Sequence, residues 1–97
     1  MADFLFLMHT LPAGLETAAD WDAYITRLNT AGVMRGGSAI GGGACFSKRG
    51  DVPAMAAHLG GYIRIEAADM AAAQTFLAGN PVYEAGGVVE IRELPKS

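Results

Sequence analysis

An α+β domain with its elements in the order strand, helix, strand, strand, helix, strand is predicted by three features of the sequence. A bulky apolar run from Phe4 to Met8 opens the chain, and Tyr62 to Glu66 and Val88 to Leu94 alternate apolar and polar residues with the period of a strand. Two of the intervening stretches carry helix caps followed by apolar residues at helical spacing. The 97 residues leave room for one core only, since two smaller ones would each bury too little to be stable. Residues 1–97 are therefore expected to form a single domain.

The run Phe4-Leu5-Phe6-Leu7-Met8 is bounded by Asp3 and by the turn-forming Pro12 and Gly14, and reads as a strand buried on both faces. Phe4, Phe6 and Met8 point one way, and Leu5, Leu7 and His9 the other. With helices on one side only, the second apolar face needs a cover, which a second subunit would supply. Thr17 and Asp20 then form an approximate capping box, and Trp21, Tyr24, Ile25 and Leu28 lie on one helical stripe closed by Gly32. Val33 and Met34 open an extended region running towards Ala44-Cys45-Phe46. Gly36-Gly37 and Gly41-Gly42-Gly43 interrupt it, suggesting bulges, a bend or the close approach of another backbone.

From Ser47 to His58, Arg49-Gly50-Asp51 and Pro53 favour a turn, and Ala54 to His58 is compatible with a short helical turn. In the following strand Ile63 and Ile65 face the helices. Asp69 caps a second helix through Met70, Ala73, Phe76 and Leu77, ended by Gly79-Asn80-Pro81. Val89 and Ile91 of the last strand point inward, with Glu90 and Arg92 opposite. This order is ferredoxin-like: a four-stranded antiparallel sheet with both helices on one face. The open face would carry Tyr62, Arg64, Glu66, Glu90 and Arg92 beside the apolar residues of the first strand. That mixture suggests a polar pocket enclosed between two subunits.

Composition narrows the function. Hydrophobic residues make up 52% of the chain and charged residues 18%, an apolar excess that a homodimer would hide. A net charge of -3, with Lys48-Arg49 the only adjacent basic pair, argues against a nucleic-acid surface. Cys45 is the only cysteine, so no internal disulfide and no cysteine-built zinc site is expected, which fits a reducing cytoplasm. The apolar start lacks a preceding basic segment and the length to span a bilayer, so neither a secreted nor a membrane form is expected.

Several residues in order carry a family resemblance. These are Trp21 and Tyr24, Ala31-Gly32, Leu59-Gly60-Gly61-Tyr62, Ala67-Ala68-Asp69, Asn80-Pro81 and Gly86-Gly87-Val88-Val89-Glu90-Ile91-Arg92. Together they resemble the YCII-related (DGPF) family across nearly the whole chain. The resemblance implies a ferredoxin-like subunit pairing into a dimeric α/β barrel, with a cavity between sheet and helices. It also implies either small enzymes using a His and Asp pair for acid/base chemistry or proteins that accompany sigma factors. The helix histidine of that pair is matched here by Trp21, and Asp51-Val52-Pro53-Ala54 matches Asp-Gly-Pro-Phe only in part.

The candidate catalytic residues are His9 and Asp51, for proton transfer. His9 is otherwise a ring packed at the sheet edge, and Asp51 a turn residue. Arg64 and Arg92 are candidates to clamp an anionic group bidentately, or else to pair with Glu66 and Glu90 across the strands. His58 and Tyr62 complete the candidate binding set. Trp21 reads as core. No histidine spacing suits a metal, no glycine run forms a phosphate loop, and no cofactor is expected. The function expected is a homodimer that binds a small anionic molecule, with acid/base catalysis as one outcome. The alternative is a non-catalytic regulatory or protein-interaction module, associated with a sigma factor.

Overall fold

The first strand organises the rest, because its two faces are both apolar and it lies at the centre of the sheet. In the computed structural model, which describes residues 1–12 and 15–96, it forms β1 (Ala2–His9). The turn expected at Gly14 lies outside the described residues. The chain continues through α1 (Ala18–Thr30), β2 (Met34–Ala39), β3 (Leu59–Ala67), α2 (Met70–Gln74), α3 (Pro81–Glu84) and β4 (Val89–Leu94). The strands form one sheet in the order β2-β3-β1-β4 with every neighbouring pair antiparallel, which is the ferredoxin-like arrangement.

Phe4, Phe6 and Met8 are buried on the helix side, while Leu5, Leu7 and His9 are half-buried on the other. Ile63 and Ile65 of β3 extend the buried side, and Tyr24 and Leu28 of α1 close over it. Each such large apolar side chain contributes about 1.5–3 kcal/mol by leaving water. The Thr17 and Asp20 capping box is complete in both directions, with Asp20 N donating to Thr17 Oγ1 at 3.1 Å and Thr17 N donating to Asp20 Oδ2 at 3.2 Å. Gly32, at φ 75°, takes the left-handed turn that ends α1.

Three stretches depart from the sequence reading. β2 stops at Ala39 instead of running on to Phe46, and residues 40–58 contain neither helix nor strand. The helical turn expected at Ala54 to His58 does not form. Instead, the His58 carbonyl accepts from Thr10 N at 2.7 Å, which draws the end of the loop into the sheet. The second helix is also broken. Asp69 caps it as expected, but α2 tightens into a 3-10 turn over Thr75–Leu77. Asn80-Pro81, expected only to stop it, also opens α3, since Asn80 Oδ1 accepts from Val82 N at 3.0 Å and Tyr83 N at 3.1 Å.

The segment from Phe76 to Asn80 is tied to α1. The Tyr24 hydroxyl donates to the Phe76 carbonyl at 2.7 Å, and the Arg27 guanidinium donates to the Ala78 carbonyl. Burial pushes the Tyr24 phenol above its ordinary pKa, against smaller opposing effects of the Asn80 side chain and the Arg27 charge. Asn80 is wholly buried. No helix among the described residues is long and apolar enough to cross a membrane.

Candidate functional site: a glycine-walled cavity and a histidine pair

The cavity follows from what the sheet lacks. Across the strands, Ala39 is paired with Gly61, Gly61 with Met8, and Met8 with Val89. These positions face the helices, and on β2 and β3 they carry a methyl group and a hydrogen. Gly37, beside Ile63, repeats the pattern. The first turns of α1 therefore meet bare backbone and leave a cavity of about 550 Å³, roofed by Trp21 and Ile25 and walled by Met8, Met34, Gly37, Gly61 and Val82. Its more polar lining includes His9, Thr10, Glu16 and Ser38.

Gly37 is required by space, and Gly61 sits in a tight fit. A Cβ on Gly37 would lie 2.7 Å from the Tyr62 carbonyl oxygen, and one on Gly61 would lie 3.2 Å from the Ser38 carbonyl oxygen and 3.5 Å from the Met8 methyl. Gly36, at φ 127°, marks the bulge that shifts the register of β2. Trp21, read from the sequence as core, is only half-buried and lines the cavity, with its ring edge-on to Tyr24 at 6.1 Å between centroids.

The second feature stands at the end of β1. His9 Nε2 lies 3.3 Å from Glu90 Oε1, and Arg92 Nη1 donates to Glu90 Oε2 at 3.0 Å. The His58 ring meets His9 edge-on at 4.8 Å between centroids. Arg92 first, and His9 second, hold the Glu90 carboxyl below the ordinary glutamate range. An ionised carboxylate only accepts, so Nε2 of His9 carries the hydrogen in this contact. Nδ1 is then left with a lone pair that can take a proton. His9 belongs to both features: it lines the cavity, and its imidazole joins the cluster on the open face.

The other predicted residues divide between these places. Tyr62 and Leu7 are paired across β3 and β1 and alternate onto the open face, with Arg64 and Arg92 in the next row flanking Leu5. Tyr62 also lines the cavity, whereas Arg64 and Arg92 do not. The expected pairing of these arginines across strands is corrected. Arg92 bonds Glu90 along its own strand, Glu66 pairs with Arg35 at 3.7 Å, and Arg64 has no ion pair among the described residues. Asp51 is exposed in the 40–58 loop and makes no hydrogen bond among the described residues. Histidine, tyrosine and the two arginines thus share one face, and Asp51 stands outside it.

Sequence reasoning passed over Glu90 as a partner to His9. The antiparallel register of β1 and β4, which pairs Leu7 with Glu90, is what brings them together, and it has no local signature in the chain. No group of three or more His, Cys, Asp or Glu residues able to hold a metal ion occurs among the described residues.

A ferredoxin-like antiparallel sheet with a cavity under its first helix makes this an α+β domain. The family model described as "YCII-related domain" matches residues 2–96, and the chain belongs to that family. Among solved structures it is similar to the 5-chloro-2-hydroxyhydroquinone dehydrochlorinase TftG of Burkholderia phenoliruptrix, in complex with 2,5-dihydroxybenzoquinone. The two superpose with a TM-score of 0.62 at 17% identity, over 98% of this chain and 95% of that one, a likeness of fold. No curated protein matches the sequence.

Proposed function

We propose that the protein is a homodimer that binds a small molecule in the cavity beneath α1 and moves a proton on the part of it that reaches past the end of β1 to the His9 imidazole. The carrying observation is that His9 lines the cavity while its Nε2 lies 3.3 Å from Glu90 Oε1. The carboxylate fixes the ring and stabilises the imidazolium that forms when Nδ1 accepts a proton, which is the support a general base requires. Glu90 thereby takes the part first expected of Asp51.

The cavity lining selects the ligand. Trp21, Ile25, Met8, Met34 and Val82 offer an apolar enclosure suited to a ring, and the charged residue that joins them is Glu16. The body of the ligand is therefore uncharged. An anionic substituent has its place at the mouth, towards the open face, where Arg92 lies one row beyond Glu90. The 2,5-dihydroxybenzoquinone bound in the TftG complex is likewise a small ring compound, which supports this size class.

Dimerisation uses the open face. Leu5 and Leu7 lie half-buried at its centre, with Arg64 and Arg92 flanking Leu5, and Asp3 and Glu66 paired in the adjacent row. A two-fold copy laid over this face sets basic row against acidic row and covers the apolar centre. It also closes the His9 cluster off from water, which strengthens its electrostatics. The lone Cys45 is in keeping with a reducing cytoplasm.

The test is turnover and binding with a panel of small phenols, cyclic acids and lactones as pH is varied. His9→Ala is expected to abolish turnover and Asp51→Ala to leave it unchanged. Turnover that survives His9→Ala removes the proposed role.

A non-catalytic interaction module is the second reading, favoured by Phe46, which is 91% exposed in the 40–58 loop beside partly exposed Val52 and Met55. Stoichiometric co-purification with a sigma factor, lost in Phe46→Ser, is the result expected of it.

A further inference from the structure

The contact between His9 and His58 joins the cavity to the long loop. His58 is the last residue before β3, and its carbonyl accepts from Thr10 N at 2.7 Å. Gly60, two residues on, packs so closely that a Cβ there would lie 3.3 Å from the Thr10 Cα. Thr10 and Gly60 both line the cavity. The end of the loop is therefore one jamb of the cavity mouth, held to β1 by the Thr10–His58 hydrogen bond and the ring contact, while Ile40 N donates to the Gly60 carbonyl at 3.1 Å on the β2 side.

We propose that this ring contact is a pH-sensitive latch: it holds residues 40–58 against the end of β1 when the imidazoles are neutral and releases them when both are protonated. The charges around it decide the sign. From β4, Glu90 faces His9 and is shared with Arg92. The segment before α1 contributes Glu16 to the cavity lining. His58 is exposed, and its side chain has no hydrogen-bond or ion-pair partner among the described residues. A first proton on His9 is met by Glu90. A second, on His58, finds a like charge across an edge-on contact and no carboxylate assigned to it. The latch is therefore closed while the rings are uncharged and opens with acidification, once both carry a proton. Release also breaks the Thr10 to His58 hydrogen bond and widens the mouth, coupling ligand exchange to acidity.

Amide hydrogen exchange on the full chain without ligand tests this independently of any reaction. Spectra are taken at about pH 7.5 and about pH 5.5, each normalised to the intrinsic rate at that pH. Protection of Thr10 and of residues 58–61 is expected to fall roughly tenfold or more at the lower pH, while Phe6 and Ile65 stay protected. His58→Phe keeps an edge-on ring without a titrating nitrogen, and is expected to hold its protection at both values. Equal normalised protection of the wild type at the two pH values overturns the proposal, as does an equal loss in His58→Phe. Loss of protection at Phe6 and Ile65 alongside the loop overturns it too, since the event is then global unfolding.

Discussion

His9 on the first strand and Glu90 on the last are 81 positions apart in sequence, yet His9 Nε2 lies 3.3 Å from Glu90 Oε1. The antiparallel pairing of β1 and β4 alone makes this contact, and Arg92 holds the other carboxylate oxygen at 3.0 Å. The His9–Glu90 contact is thus a product of sheet register, and its neighbours predict its behaviour.

The Glu90 carboxyl is held below its ordinary range by Arg92 first and His9 second. Arg92→Gln is expected to move its titration up by more than His9→Ala does, as read from the side-chain carboxyl carbon in an NMR titration. Because the folded-state value is lowered, the group favours the fold above the ordinary glutamate range. That contribution is lost as pH falls through the lowered value.

The two wall glycines differ in what surrounds them. A Cβ on Gly37 meets the backbone oxygen of Tyr62 at 2.7 Å, whereas one on Gly61 meets the mobile Met8 methyl at 3.5 Å and the Ser38 oxygen at 3.2 Å. In urea unfolding, Gly37→Ala is expected to cost about 3 kcal/mol and Gly61→Ala about 1 kcal/mol, the two ends of the usual overpacking range. Gly61→Ala is also expected to weaken ligand binding by narrowing the cavity.

Tyr24 provides a test of how α1 is anchored. Its hydroxyl donates to the Phe76 carbonyl at 2.7 Å, and burial raises its pKa. Tyr24→Phe is expected to lower stability by about 1 kcal/mol in urea unfolding. In an ultraviolet pH titration, the wild type is expected to show a tyrosine ionising above the ordinary range, absent from Tyr24→Phe. The raised value means that this support for the fold is present below the ordinary phenol range and lost as pH rises through the raised one.

In the proposed dimer, the open face is the interface. Leu5→Glu sets a carboxylate at the apolar centre between Arg64 and Arg92. It is expected to convert a dimer into a folded monomer in light scattering, because Leu5 is not part of the buried core.

The alternation of Phe4 to Met8 announced both faces of β1, and the capping box at Thr17 announced α1, because these signals act within a few residues. The loop and the cavity were less legible. Gly36-Gly37 signals a bulge or a close backbone approach, and both occur, but only the placement of Gly37 opposite Ile63 and of Gly61 opposite Met8 shows that they leave a hole. His58 looked like the end of a helical turn, but a tertiary hydrogen bond to Thr10 outweighed local propensity. Glu90 was expected to pair with an arginine across strands; it pairs with Arg92 along β4 instead, and nothing local pointed to the histidine at the far end of the chain.

Under the proposed function, a small, largely uncharged ring compound enters the cavity and reaches His9. Two-dimensional NMR with a hydroxylated benzoquinone or phenol tests it most directly. Shifts are expected at the Trp21 indole, the Met8 methyl, the Gly61 amide and the His9 ring, with His9→Ala removing only the pH dependence of the bound form. Shifts confined to Arg64 and Arg92, or no shift at the Trp21 indole at saturating ligand, would contradict it.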